Sequence, residues 1–337
     1  MAKWGMPRAS APAQYILILI DMVESRGHPR DRLLAGTTLA DSGLTGIGAR
    51  VSEEDFSRLV SNAFALTGDT ALGLHLGLRL NLGAHAVLGQ AFMTCRDLGQ
   101  VMELFLRYYH LLSSPTLHLE QDVLDGRCVL TTVSPPRDNP LEFASEVMYA
   151  AIFNTLRALL GKDDLQLRVE LPYPPPVHEQ IYYEVFGEDV HFNCPLGRIS
   201  FDAALLGTAL PLSNPALRSL YEGECARLLA DLEEGESVAE QTLRLLRKLE
   251  GQYPQMPQVA QMLNLSPRTY RRRLEQDGSS YQQLLDRVRA EHATRYLQNS
   301  RLPLTTIAYL VGFNDASNFR RAYHKWTGRA PRELRGE

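Results

Sequence analysis

The chain holds 337 residues, 45% hydrophobic and 22% charged, a balance that excludes a fibre or a disordered tail and gives a prior of about two globular domains. Its net charge of −4 conceals an asymmetry: residues 237–337 carry 17 Lys and Arg against 9 Asp and Glu, a net of +8, whereas the residues before them carry 18 against 30, a net of −12. Such a division suggests that only the C-terminal part meets a polyanion such as DNA.

In chain order, the first apolar run, residues 15–20, stops at Asp21 and is far short of the roughly 20 residues that span a bilayer. Lys3 and Arg8 precede it, but the apolar part is too short for a secretory signal and acids follow at once at Asp21 and Glu24. No membrane partner and a cytoplasmic location are expected. Residues 41–44 and 46–48 supply turns, and Gly43, Gly46 and Gly48 do not have the spacing of a dinucleotide loop. Ser52 followed by Glu53, Glu54 and Asp55 starts a helix carrying Phe56, Leu59, Val60 and Phe64. A second amphipathic helix is predicted over 98–109.

Around Asp125-Gly126 the alternation predicts a β-hairpin, with Leu117 and Leu119 on one arm and Val129 and Thr131 on the other. Residues 165–171, 190–193 and 198–201 suggest further strands, so residues 11–230 are expected to form an α+β domain. Its chemistry-bearing residues are scattered. Cys95, Cys128, Cys194 and Cys225 lie 33, 66 and 31 positions apart, too far for a zinc or redox motif, and are expected to be free buried thiols. His75, His85, His110 and His118 form no local metal motif and pair with no obvious nucleophile. No metal, no cofactor and no enzymatic activity are expected.

The acidic stretch 231–236 reads as a linker, with Ser237 as the N-cap of the next helix. An all-α domain is predicted over 237–337. Val238, Leu243, Leu246 and Leu249 form one amphipathic helix that ends before Pro254. Pro257 opens a helix carrying Val259, Ala260, Met262 and Leu263, Asn264-Leu265-Ser266 breaks it, and Pro267 opens another. The glycosylation pattern of that tripeptide is read as coincidence. In the helix from Pro267, Tyr270 and Leu274 face a core while Arg268, Arg271 and Arg272 share the opposite face, where guanidinium forks can grip phosphate or the O6 and N7 of guanine. A longer helix follows over 281–297, and a second helix, turn and helix place Ile307, Ala308, Phe319, Ala322, Tyr323 and Trp326 inward, with Gly312 at the turn and Gly328 at the end.

The stretch Leu265-Ser266-Pro267-Arg268-Thr269 with Arg272 and Leu274, followed by Ile307-Ala308, Gly312-Phe313, Phe319, Ala322, Lys325, Gly328, Pro331 and Arg335, resembles the double helix-turn-helix domain of AraC/XylS-type transcription regulators. The resemblance implies a seven-helix domain whose two recognition helices enter successive major grooves. The 17 residues of 281–297 rise about 25 Å, a fitting strut for grooves about 34 Å apart. Carried over by position, Ser266, Arg268, Thr269, Arg271 and Arg272 serve the first head. Asn314, Ser317, Asn318 and Arg321 serve the second, with Arg320 and Lys325 toward phosphate.

Further upstream, Leu171-Pro172-Tyr173, Tyr182, Phe186-Gly187, Val190, Phe192, Phe201-Asp202 and Leu210-Pro211-Leu212 resemble the end of an arabinose-binding-like effector domain, in a subgroup similar to regulators of ornithine utilisation. The partners this implies are double-stranded DNA, a small-molecule effector, RNA polymerase and a second copy of the chain in a homodimer. Phe92, Arg107, Tyr108, Tyr109 and Phe153 are the candidate effector-binding residues, although an aromatic at helical spacing more often fills a core. Two alternatives stay open: a constitutive dimeric DNA-binding factor, or an enzyme fused to the same DNA-binding module, as in cysteine-dependent alkyl-acceptor repair proteins, against which the scattered cysteines argue.

Overall fold

The computed structural model describes residues 10–39, 44, 49–113, 117–133, 141–162, 164–234, 237–249, 251, 253–299 and 302–332. They fall into two compact units, Arg8–Asp231 and Leu232–Glu337.

In the first unit β1 (Ser10–Pro12) leads into α1 (Ala13–Glu24) and α2 (Arg30–Leu33), and pairs antiparallel with β2 (Arg50–Ser52). The apolar run at 15–20 is thus part of a core helix. Next come α3 (Glu53–Thr67) and α4 (Leu72–Arg79). Ser52 starts α3 as its sequence predicts, its hydroxyl accepting the Asp55 amide N–H, and Gly68 ends it at φ 62°. Ile16, Leu19, Ile20 and Val23 of α1 bury with Leu59, Leu72 and Leu76 in one core.

A second core lies on a mixed sheet. After α5 (Ala86–Met93) and α6 (Leu98–Tyr108), β3 (His118–Leu124) and β4 (Arg127–Val133) form the expected hairpin, with Asp125 and Gly126 both at positive φ as a two-residue turn demands. Then follow α7 (Leu141–Leu160), β5 (Arg168–Glu170), α8 (Glu179–Phe186), β6 (Val190–His191), β7 (Gly197–Asp202) and α9 (Pro215–Glu234). The strand order is β3-β4-β7-β5-β6, antiparallel except for β5 with β6. On β4, paired with β3 and β7, the successive residues Cys128, Val129, Leu130 and Thr131 are all buried, so both faces of this strand are covered there. The unit is α+β.

Helix α7 serves both cores, giving Phe143 and Ala151 to the first and Tyr149, Ala150 and Phe153 to the second. It packs on α4 through glycines: a Cβ on Gly77 would stand 2.6 Å from the Val147 carbonyl oxygen and 2.6 Å from the Ala150 methyl. The buried Glu146 of α7 accepts the Tyr182 hydroxyl at 2.7 Å and lies 2.6 Å from His178 Nε2, which ties α8 and the loop before it to α7.

In the second unit α10 (Val238–Lys248), α11 (Met256–Met262), α12 (Pro267–Gln276), α13 (Tyr281–Asn299), α14 (Leu304–Leu310) and α15 (Ala316–Thr327) are six helices among the described residues, where the resemblance implied seven. Ser237 caps α10 in a reciprocal pair with Glu240.

Several expectations need adjustment. Helix α9 runs on through Asp231 to Glu234, so the first part of the acidic 231–236 stretch is helical, and Gly235 and Glu236 lie outside the described residues. The turns expected at 41–44 and 46–48 also lie outside them, apart from Leu44, which is buried. Cys95, Cys128 and Cys225 are buried free thiols, but Cys194 is half-buried. Among the described residues no helix is long and apolar enough to cross a membrane, and no His, Cys, Asp and Glu group could hold a metal ion.

Gly77→Ala is expected to lower stability by about 1–3 kcal/mol through overpacking of α4 on α7, read as a lower thermal midpoint by circular dichroism. Gly223→Ala on α9, where a methyl meets nothing, should leave the midpoint unchanged or slightly raised.

Candidate nucleic-acid interface and ligand cavity

The second unit contains one local design twice. After α11, Asn264 takes φ 54° and the Leu265 amide donates to the Ala260 carbonyl at 2.8 Å. After α14, Gly312 takes φ 81° and the Phe313 amide donates to the Ala308 carbonyl, also at 2.8 Å. A left-handed residue reverses the chain in both turns, and asparagine tolerates it next best to glycine. The Asn264 tripeptide therefore serves as a tight turn. Ala260 and Ala308 are fully buried, small enough for the paired helices to cross closely.

The back faces of the two outer helices are anchored alike. Tyr270 of α12 is buried with its hydroxyl 2.8 Å from Thr242 Oγ1 on α10, and Tyr323 of α15 is buried with its hydroxyl 2.6 Å from Thr294 Oγ1 on α13. Burial pushes the Tyr270 hydroxyl up to about 12, so it stays a neutral hydrogen-bonding group. Leu274 and Phe319 complete the inward stripes.

The opposite faces are open. Arg268, Arg271 and Arg272 are exposed on α12, while Thr269 is half-buried. Ser266 is exposed but its hydroxyl caps the helix, accepting the Thr269 N–H at 3.2 Å. In the second head Asn314, Ser317, Asn318, Arg320, Arg321 and Lys325 are all exposed. Asp315 caps α15, accepting the amides of Ser317 at 2.9 Å and Asn318 at 2.7 Å, and the Asn318 N–H first among these bonds holds its carboxyl below the usual range. The Asn318 side-chain amide donates to Asp315 and accepts from Arg321 Nη2 at 2.6 Å. Asp315, Arg273 and His324 were not among the residues predicted from sequence. Arg273 and His324 are exposed on the same two helices, but neither completes a motif.

Helix α13, 19 residues and so about 28 Å long, joins the two heads. Arg247 of α10 forks onto Glu291 of α13 with bonds of 2.8 and 2.9 Å, and Arg287 adds a third at 3.2 Å. Burial pushes the Glu291 carboxyl up, but the charges and hydrogen bonds of Arg247 and Arg287 outweigh it and hold the group below its usual range. Farther along, Arg289 lies over the rings of Tyr253 and Phe313, 5.5 and 5.2 Å from their centroids, and donates to the Gly312 carbonyl at 3.4 Å.

The first unit contains a partly open cavity of about 400 Å³ lined by residues of both its cores. Its wall is mostly apolar: Phe56 and Phe64 from α3, Phe92 from α5, Met102 and Phe105 from α6, Leu130 from β4, and Phe143 and Met148 from α7. One polar line crosses it. Tyr15 Oη lies 2.8 Å from His85 Nδ1, and His85 Nε2 lies 3.1 Å from Thr155 Oγ1. Burial lowers the His85 pKa to about 4, so the imidazole is neutral near pH 7.

Of the five residues expected to bind an effector, Phe92 and Tyr109 line the cavity. The other three do not. Arg107 points to α9, where it donates to Glu222 at 2.6 Å, and Tyr108 is buried beneath its guanidinium. Phe153 packs edge-on against Phe186 in the sheet core. Tyr15, His85 and Thr155 escaped the sequence reading because 70 positions separate each bonded pair.

Residues 27–210 match the model for the arabinose-binding N-terminal domain of AraC transcription regulators, and residues 259–337 match a helix-turn-helix domain. The chain is 39% identical over 325 residues to the ornithine utilization regulator of Pseudomonas aeruginosa, covering 96% of each. It is 27% identical over 281 residues to the transcriptional regulator VqsM of the same organism, covering 78% of this chain and 83% of that one. Among solved structures, the transcriptional regulator CdpR from Pseudomonas aeruginosa aligns over 96% of this chain and 98% of its own, with 21% identity and a TM-score of 0.45.

The Glu291 pair generates a pH prediction. A carboxyl held below its unfolded value, near 4.5, contributes stability that is fully present above that value and is lost as pH falls through the folded one. Glu291→Gln should therefore cost about 3 kcal/mol near pH 6, and its difference from wild type in denaturant titrations should narrow toward about pH 4.

Proposed function

Since the chain belongs to the AraC-type transcription regulators with an arabinose-binding-type N-terminal domain, we propose that α12 and α15 are the recognition helices that read successive major grooves of one operator. The observation that carries this is the doubled design: two helix-turn-helix heads built on matching turns and matching tyrosine anchors, each with its polar face outward. Arg268, Arg271 and Arg272 are suited to guanine edges and phosphate, Thr269 and Ser266 to phosphate beside them. Asn314, Ser317, Asn318 and Arg321 are the reading set of the second head, and Arg320 and Lys325 meet phosphate.

Its relatives are transcription regulators, and we read this chain as a regulator rather than an enzyme. The first unit, residues 11–230, senses a small molecule and pairs two copies of the chain; residues 237–337 bind DNA and, at the promoter, RNA polymerase. The protein acts in the cytoplasm. A ligand alters the affinity for DNA only as far as it binds the DNA-competent and incompetent states differently. Genome-wide mapping of bound sites, followed by gel shifts on those fragments, tests the reading; uniform binding to bulk genomic fragments would remove it.

Two substitutions separate base reading from phosphate contact. Arg272→Ala should weaken operator binding by about 1–3 kcal/mol and relax preference at one base pair, measured by gel-shift titration over operator variants. Lys325→Ala should weaken all sequences alike and reduce the slope of log affinity against log salt by about one.

A further inference from the structure

The cavity of the first unit says more than that a small molecule fits it. Among the described residues its lining holds no lysine or arginine, and the one charged side chain, Glu53, stands in the first turn of α3. Arg50, the buried cation on the neighbouring strand β2, is turned to backbone, donating to the Leu111 carbonyl at 2.8 Å and the Ser113 carbonyl at 2.9 Å. A carboxylate buried in such a wall loses its hydration without gaining a counter-charge from the described lining, an ammonium group meets only Glu53 at the start of α3, and a molecule with a hydroxyl on every carbon sets most of them against phenylalanine and methionine.

The line of Tyr15, His85 and Thr155 has a definite hydrogen-bond count. The neutral imidazole donates through one nitrogen and accepts through the other. If Tyr15 donates to Nδ1, Nε2–H donates to Thr155 and the Thr155 hydroxyl proton is left over. If Nδ1–H donates to Tyr15, Thr155 donates to Nε2 and the Tyr15 proton is left over. In both tautomers one hydroxyl proton remains for an acceptor beyond the three, and both hydroxyl residues line the cavity.

We propose that this cavity takes an uncharged, mainly apolar molecule with a single hydrogen-bond-accepting head, such as an amide or ester carbonyl, and that the line formed by Tyr15, His85 and Thr155 receives that head. The volume, about 400 Å³, is in the range of sites for small organic ligands, ~300–1,000 Å³. The inference rests on the reading of the first unit as a small-molecule sensor and names the chemistry of what is sensed. Free ornithine and arabinose do not satisfy it.

The test uses the full chain and the uncharged fluorophore N-phenyl-1-naphthylamine, whose emission rises on entering an apolar site. Saturable uptake is expected, with displacement by octanamide and none by L-arabinose or L-ornithine. Tyr15→Phe combined with Thr155→Val, which removes both hydroxyl donors, should weaken octanamide displacement about five- to tenfold, as for one lost hydrogen bond, with fluorophore uptake retained, and Tyr15→Phe combined with Thr155→Ser should restore it. Ser57→Trp, which fills the cavity from α3, should abolish uptake in a chain whose circular dichroism spectrum remains that of the folded protein. Displacement by arabinose or ornithine with octanamide inert would overturn the proposed chemistry and keep the sensor reading. Failure of the fluorophore to enter, with no competitor raising the melting temperature, would overturn both. Equal octanamide potency in wild type and a folded Tyr15→Phe, Thr155→Val double variant would overturn the assignment of the head.

Discussion

One helix belongs to two cores, and the arrangement of the DNA-facing unit depends on it. Leu284, Leu285 and Val288 of α13 close the core of the first head, while Ala293 and Leu297 close that of the second. Five residues separate Val288 from Ala293, so at ~100° per residue the second set faces about 140° round the helix from the first. Neither head can swivel about α13 without drawing apolar side chains into water. The fork of Arg247 on Glu291 fixes α10 to this strut, and Arg289, stacked on Tyr253 and Phe313, joins the approach to α11 with the turn before α15. Register between two reading surfaces is thus a packing property.

Within that frame the two heads are prepared differently. The guanidinium groups of Arg268, Arg271 and Arg272 are exposed to solvent, so any partner they take costs them rotamer freedom. In the second head Asp315, Asn318 and Arg321 already form a chain of hydrogen bonds. There the side chains are partly ordered before any contact, and less entropy remains to be lost. The Asp315 carboxylate offsets one positive charge on that face.

The second unit was legible in the sequence because its signals are local. Proline at helix starts, a left-handed residue at each turn and aromatic spacing at i and i+4 lie within a few residues of one another, and such short-range constraints survive any tertiary arrangement. In the first unit the hairpin at Asp125-Gly126 and the start of α3 at Ser52 were legible for the same reason. The cavity was not. Tyr15, His85 and Thr155 meet only once α1, the turn before α5 and α7 have packed, and no periodicity marks such a meeting. Conversely Phe153 had the composition of a pocket residue and became core, because α7 turns that face to the sheet and to Phe186. The stretch from Asp231 misled in another way: acidic residues near a glycine read as a connector, yet Arg227 bonds to both Glu224 and Asp231 and supports one more turn of α9.

Arg107 has Glu222 as its partner in place of a ligand. On α6, Val101, Met102 and Phe105 line the cavity, while Arg107 on the same helix binds Glu222 of α9. An ion pair with its arginine mostly exposed contributes little by itself, ~0–1 kcal/mol. Tyr221, Cys225 and Leu229, packed into the sheet core, are what hold α9 in place. Helix α6 thus has one surface in the cavity wall and another on the helix by which the chain leaves this unit. A ligand can shift an equilibrium only through an element it contacts differently in the two states. Since packed helices shift as rigid bodies and do not deform smoothly, a wall element that is also ion-paired to α9 offers a route from the cavity to the exit helix, which a wall made only of β4 and α3 would not.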